Sequence, residues 1–493
     1  MNKLEILSIS IITGCLFLLP KITLPKVRQP LNVMLILLIG LNVSLNGLRW
    51  PMMPAFLVLS YVVYKSIFYE SRQRHALIKT TKWASLIVMI VLAWGLPIIF
   101  PLFKFPEPTG SYQVGTKWIY LIDSTRDEVI TANPKDKREL MVKIWYPTDS
   151  QVGIQDSYLL KSERVGFARK YGLPDWTISY FSKIKTNVLA DAGIAKGIFP
   201  VLIFSHGYES PATNYYAFLT EVVSHGYIVV NINHTYESTS SEFPDGQIKF
   251  NNDSFSVATN LNPKMIELAW RSTEKFQKAQ DAEHKLQIVT ELVHHYSGSE
   301  IVRRWAKDIS FVIDQLEQEN KVPKSFLYNK MNLSQIGAFG HSMGGAAAGQ
   351  ALLFDNRLSA AANWDGSQWG DVIDTIFQKP FILLSHSVSL KIGFEINSQV
   401  YHRKSKSLFY DVIINGTGHS NYCDIPYWIK LNLINEAGGI DMDRGVSIIT
   451  KVTLDFFDSH LLNKPVSFTK RLTEFKELDI KIYKDGTEKK TID

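Results

Sequence analysis

The sequence predicts an α/β fold, a mostly parallel central sheet flanked by helices, preceded by about four transmembrane helices. Three observations predict it. The first hundred residues hold charge-poor apolar runs that the rest of the chain lacks. From about residue 111, short runs rich in β-branched and aromatic residues alternate with helical patterns, as in a parallel sheet covered on both faces. Within that alternation, Gly340-His341-Ser342-Met343-Gly344 stands between a strand-like run and a run of small residues.

Candidate spans lie near 4–20, 31–48, 50–69 and 83–103. The run 83–103 carries no charge, and at about 1.5 Å per residue it reaches the roughly 30 Å of a bilayer core. The run 31–48 is also charge-free. The third continues past Lys65, which can snorkel, into Ile67 and Phe68. The first has Glu5 near its start and ends at Leu18-Leu19-Pro20-Lys21, without the small residues of a signal-peptide cleavage site. Cations gather in two connections: Lys21, Lys26 and Arg28 in one, Lys65, Arg72, Arg74, Lys79 and Lys82 in the other. The opposite side offers Arg49 and Lys104. Positive loops stay in the cytoplasm, so both termini are expected outside, in a multi-pass protein with an extracytoplasmic C-terminal domain. Phe105-Pro106-Glu107-Pro108-Thr109-Gly110 reads as a linker, dividing a membrane region (1–104) from a catalytic domain (111–493).

The net charge of +6 is modest, and no basic block is interleaved with aromatics, so nucleic acid is not an expected partner. The two cysteines, Cys15 and Cys423, lie far apart, with no CxxC and no Cys/His spacing suited to zinc. No disulfide, metal or cofactor is expected.

In the larger domain, 140–145, 200–204, 227–232, 335–339, 360–364, 381–384 and 407–414 read as strands. The runs 215–223, 301–316 and 344–354 read as helices between them. A charged helical stretch at 262–296 interrupts the alternation, as a lid or a solvated surface pair would.

Gly340 to Gly344 matches G-x-S-x-G, and its strand–turn–helix context is what a nucleophile elbow of the α/β-hydrolase fold requires. Ser342 is the candidate nucleophile. A hydroxyl needs a base, and His419 lies in a glycine-rich loop directly after the last strand-like run, where this fold delivers one. His206, His294, His295, His386 and His402 are less well placed. Asp365 ends a strand and starts a turn, so it is the candidate acid, with Asp371 and Asp374 as rivals in a helical stretch. Backbone N–H groups of Met343 and Tyr208 are the candidate oxyanion donors, with His206 shaping the Tyr208 loop.

Phe199-Pro-Val-Leu-Ile-Phe-Ser-His-Gly-Tyr208, Ser224-His-Gly-Tyr-Ile-Val-Val230, Gly340-His-Ser-Met-Gly-Gly345, Trp364-Asp365 and Gly418-His419 occur in the order found in the plasma/type II platelet-activating factor acetylhydrolases. Gly110 to Gly115 and Leu140 to Pro147 also resemble that family's first strands. The resemblance covers roughly 110–460. It implies a serine-dependent, calcium-independent hydrolase of short acyl esters, including those of phospholipids, with catalytic roles on Ser342, Asp365 and His419 and oxyanion roles on Tyr208 and Met343. The apolar N-terminal region and the 262–296 stretch depart from the family. The same machinery also suits thioesters or amides, and a catalytically idle receptor or scaffold is the alternative of another class.

Overall fold

The computed structural model describes residues 1–18, 25–68, 76–259, 262–387, 397 and 405–489. Lys21, Arg72, Arg74 and His402 lie outside the described residues. The chain divides into two units.

The first unit contains Met1–Lys104 with Gly172–Lys185 and Ile425–Asn435. Its helices are α1 (Lys3–Leu18), α2 (Pro25–Asn46), α3 (Met53–Ile67) and α4 (Ala76–Ile99). Two stretches, Lys26–Asn46 and Thr80–Ile99, are long and apolar enough to cross a bilayer, and only 17% of each tested window is buried, unlike a core helix. The expectation of about four such helices is corrected to two. At 16 and 15 residues, α1 and α3 fall short of a bilayer core at about 1.5 Å per residue. The interior of this unit is partly polar. Asn32 donates to Ser66 at 2.9 Å, Asn42 to Ser8 at 3.2 Å and Asn46 to Asn42 at 3.2 Å, and buried Arg49 pairs with buried Glu5.

The segments 172–185 and 425–435 were expected in the 111–493 domain, but they group with the helices. Their aromatic residues give the reason. Phe103 stacks on Tyr427 at 5.6 Å, Phe181 meets Trp428 at 5.1 Å, and the Lys430 N–H donates to the Ile99 carbonyl at 2.7 Å.

The second unit is built on a twelve-stranded sheet. In chain order its strands are β1 (Gln113–Asp127), β2 (Lys137–Thr148), β3 (Ile154–Gln155), β4 (Val188–Ala190), β5 (Phe199–Ser205) and β6 (Ile228–Asn233). A separate ribbon, β7 (Ser240–Glu242) and β8 (Ile248–Phe250), follows; the sheet resumes with β9 (Met331–His341), β10 (Leu358–Trp364), β11 (Phe381–His386), β12 (Phe409–Ile414), β13 (Leu478–Lys484) and β14 (Thr487–Glu488). The order is β14-β13-β12-β11-β10-β9-β5-β6-β2-β1-β4-β3. From β12 to β6 every neighbouring pair is parallel, so all these strands deliver their following loops to one end of the sheet. Both faces of β5 and β6 are buried, which is why these strands read as continuous apolar runs rather than alternating ones.

Small residues let the helix Met343–Phe354 lie close to the sheet, and Gly344 to Leu352 are all buried. A Cβ on Gly344 would stand 2.1 Å from the Ser205 carbonyl oxygen, so only glycine fits there. The charged stretch at 262–296 forms two helices, Pro263–Lys278 and Ala282–His295. Ile288, Val289, Leu292 and Val293 of the second join the main core.

Candidate active site

Ser342 joins β9 to the helix Met343–Phe354 with φ 57° and ψ −121°, a conformation that costs an L-residue energy and concentrates at functional sites. Its N–H donates to the Trp364 carbonyl at 2.8 Å, which ties the turn to β10. Among the described residues its hydroxyl has no hydrogen-bond partner. A bond from Ser342 Oγ to His419 would therefore have to tighten on substrate binding, as such bonds commonly do.

The parallel run brings the other candidates to the same end. Asp365 follows β10, His386 ends β11 and His419 follows β12. The His419 Nδ1–H donates to Asp365 Oδ2 at 2.6 Å, leaving Nε2 as the proton acceptor. Burial opposes charge on His419, but the hydrogen bond and negative charge of Asp365 prevail and hold its pKa above the ordinary value. Burial likewise opposes the Asp365 carboxylate, yet the donors His386 and His419 keep its pKa far below the usual range. Asp365 thus stays ionised where it can orient the imidazole and stabilise its cation.

His386, which the sequence offers only as a rival base, is a second donor to the same carboxylate. Its Nδ1–H lies 2.7 and 2.6 Å from the two Asp365 oxygens, and its backbone N–H donates to Oδ1 at 2.9 Å. Asp365, His386 and His419 present ligand atoms within 4.8 Å of one another. These hydrogen bonds account for that cluster without a metal ion. A polar residue closing the strand next to Asp365 was the available signal.

The remaining rivals are engaged elsewhere. Asp371 takes Arg303, and Asp374 pairs with exposed His294 at 2.8 Å. His295 bonds the Glu291 carbonyl.

The loop after β5 approaches the elbow closely. A Cβ on Gly207 would lie 3.6 Å from the Ser342 Cβ. The Gly207 N–H is taken by the Tyr215 hydroxyl at 2.8 Å. Among the described residues, the N–H groups of Tyr208 and Met343 are taken by no other acceptor. The Tyr215 hydroxyl in turn reaches His341 Nδ1 at 3.1 Å, and the His341 Nε2–H donates to the His419 carbonyl at 3.2 Å. One relay therefore links the Tyr208 loop, the elbow and the base loop. His341 is neutral, its pKa held far below the ordinary value by burial and by the neighbouring His419.

His206 lies outside the triad. Burial and neighbouring His234 push its pKa down to about 3; it donates to the Gly207 carbonyl at 2.7 Å and accepts from the His234 N–H at 3.2 Å. Behind it, Ser205, His234 and Asp308 form a serine–histidine–aspartate row, with 3.2 Å from Ser205 Oγ to His234 and 2.8 Å from His234 to Asp308. All three are fully buried, so this row braces the Tyr208 loop and cannot meet a substrate. The sequence reading missed it, although the polar end of β6, Asn231-Ile232-Asn233-His234, hints at it. A cleft of about 1120 Å³ along Gly298–Glu319 includes neither Ser342 nor His419.

Residues 98–479 match the family described as platelet-activating factor acetylhydrolase, isoform II. The chain is 22% identical over 405 residues to the platelet-activating factor acetylhydrolase of Bos taurus, covering 78% of this chain and 83% of that one. It is 22% identical over 402 residues to the enzyme of Canis lupus familiaris, covering 78% and 82%. A solved structure, the ferulic acid esterase of Streptomyces cinnamoneus, superposes with a TM-score of 0.58 at 22% identity, over 77% of this chain and 99% of its own. That likeness carries the α/β fold with its mostly parallel sheet. With more than half its length matched, the chain belongs to the platelet-activating factor acetylhydrolase, isoform II family and is an ester hydrolase of that kind.

Proposed function

We propose that this chain is a serine-dependent carboxylic-ester hydrolase of lipid or short-acyl esters, held at a bilayer by its N-terminal helices. The observation that carries the chemistry is the constrained turn at Ser342, set at the same sheet end as a His419–Asp365 pair bonded at 2.6 Å. In this reading Ser342 Oγ attacks the ester carbonyl while His419 Nε2 takes its proton. The N–H groups of Tyr208 and Met343 stabilise the oxyanion. His419 then protonates the leaving alkoxide, and an acyl group remains on Ser342. Water, deprotonated by His419, releases the acid and restores the serine. The relatives' names support a phospholipid-like ester as substrate.

Anchoring rests on the apolar outer face of the helical unit, where Leu37, Leu45, Leu57 and Val91 are exposed while Glu5, Ser8, Asn42 and Arg49 are buried.

The test is Ser342→Ala, which should abolish hydrolysis of a short-chain p-nitrophenyl ester and labelling by a fluorophosphonate probe, with an unchanged circular dichroism spectrum. Labelling of another residue with activity retained would overturn the reading.

A further inference from the structure

The peptide unit that carries the Tyr208 N–H also carries the Gly207 carbonyl. A trans peptide is planar, so its C=O and N–H point in opposite directions, and fixing the carbonyl aims the N–H. Two donors fix it: the His206 Nδ1–H at 2.7 Å and the Ser210 N–H at 3.1 Å. His206 can only donate there, because its Nε2 accepts from the His234 N–H at 3.2 Å and a neutral imidazole has a single N–H.

The other side of Gly207 is held as well. Its N–H donates to the Tyr215 hydroxyl at 2.8 Å. The His419 carbonyl can only accept, so the proton of neutral His341 sits on Nε2. His341 Nδ1 therefore accepts from the Tyr215 O–H at 3.1 Å, which leaves the Tyr215 oxygen free to take Gly207. The loop has little slack toward the nucleophile. A Cβ on Gly207 would meet His341 Nδ1 at 3.3 Å, the Tyr215 hydroxyl at 3.4 Å and the Ser342 Cβ at 3.6 Å. His206 and Tyr215 are fully buried, so they act through the backbone of Gly207 and not on a substrate.

We propose that His206 and Tyr215 are positioning residues for ester hydrolysis: by holding Gly207 at its carbonyl and at its N–H, they aim the Tyr208 N–H at the oxyanion that forms when Ser342 attacks. The proposal rests on the serine mechanism above and assigns the aim of one donor to two side chains outside the triad. A donor aimed at the oxyanion acts on the transition state more than on the bound ester, so loss of aim falls on kcat and spares KM.

The test combines kinetics on a short-chain p-nitrophenyl ester with inhibition by an alkyl trifluoromethyl ketone. The Ser342 Oγ adds to the ketone carbon, its proton passes to His419, and the ketone oxygen becomes an oxyanion in the same site. Tyr215→Phe, which keeps the buried ring, should lower kcat by about 10²-fold with KM within about twofold of wild type, and weaken the ketone by the same factor. His206→Leu should do the same, and His206→Asn, which keeps an N–H at the δ position, should regain about tenfold of the loss. A merely structural role would leave fewer competent molecules, so that kcat fell while the ketone inhibition constant stayed at the wild-type value. That result in Tyr215→Phe would overturn the proposal, and it can be read even where His206→Leu does not fold. His206→Asn no faster than His206→Leu would overturn it too. Wild-type enzyme that neither binds the ketone nor labels at Ser342 with a fluorophosphonate would instead overturn the serine mechanism itself.

Discussion

The two units differ in what accompanies their apolar cores and in what they expose. In the helical unit an apolar cluster that includes Ile9, Val58 and Leu59 is buried together with Glu5, Arg49 and a ladder of asparagines, while Leu37, Ile67 and Val91 face outward. In the hydrolase unit the interior is a continuous apolar cluster running from β2 through β5, β6, β9, β10 and β11 to β12. Its buried charges occur in satisfied networks such as Arg138 with Glu128 and Asp308. The difference teaches that the outer face, more than the interior, separates the two units. Water drives apolar surface inward, so an exposed apolar face is the one that the proposed bilayer anchoring would cover; in lipid, packing and interhelical hydrogen bonds hold helices together.

The strongest way to break this comparison acts on the hydrolase side. Asp365→Asn should lower kcat on a short-chain ester by about 10⁴-fold, because the amide cannot hold His419 in the required tautomer; circular dichroism should show the fold intact. The wild-type rate should also fall as pH drops through a value above the ordinary imidazole pKa of about 6.5. The base must be neutral to accept the Ser342 proton, and Asp365 raises the pH at which His419 protonates. A pH–kcat/KM profile whose acid limb lies below that value would contradict the pairing.

Next in size, Arg138→Met takes the shared cation from three buried carboxylates, Glu128, Glu237 and Asp308, and should cost about 3–5 kcal/mol, read as a fall in the unfolding midpoint. Burial opposes the charge on Asp308, but Arg138 and His234 keep its pKa well below the usual range. Its stabilising contribution is therefore present above the ordinary carboxyl pKa of about 3.9 and lost as pH falls, so the gap between the two proteins should narrow in acid.

His386→Ala should cost about tenfold in kcat, or roughly 1.4 kcal/mol, by freeing Asp365 to rotate. His386→Asn keeps a side-chain donor and should recover most of the rate. The smallest effect belongs to the helical unit. Asn42→Leu removes the bond to Ser8 and the one from Asn46 and should cost about 1.2 kcal/mol, at about 0.6 kcal/mol each, measured by unfolding in detergent micelles. A loss as large as that of Arg138→Met would mean that the two interiors obey the same rules.

Much of the candidate site was legible because its signals are local. The elbow announces itself through Gly340, Ser342 and Gly344, since a sharp strand-to-helix turn tolerates little else. Asp365 and His419 were read from their positions after strand-like runs, and a parallel sheet collects all such positions at one end. His386 was misjudged because its partner stands 21 positions away, and the strand alone does not reveal which carboxylate it will meet. The grouping of segments 172–185 and 425–435 with the helices was not legible for a similar reason, since their aromatics find partners far off in the chain.

Periodicity, turn chemistry and apolar run length act over a few residues, and they were enough to specify the α/β alternation, the elbow and the apolar N-terminal helices. The sharing of Asp365 between two histidines and the relay from Tyr215 through His341 to the base loop were decided by tertiary structure. They join groups far apart in the chain, His386 and Asp365 by 21 positions, His419 and Asp365 by 54 and Tyr215 and His341 by 126. Such contacts exist only once strand order and helix packing have closed the intervening loops.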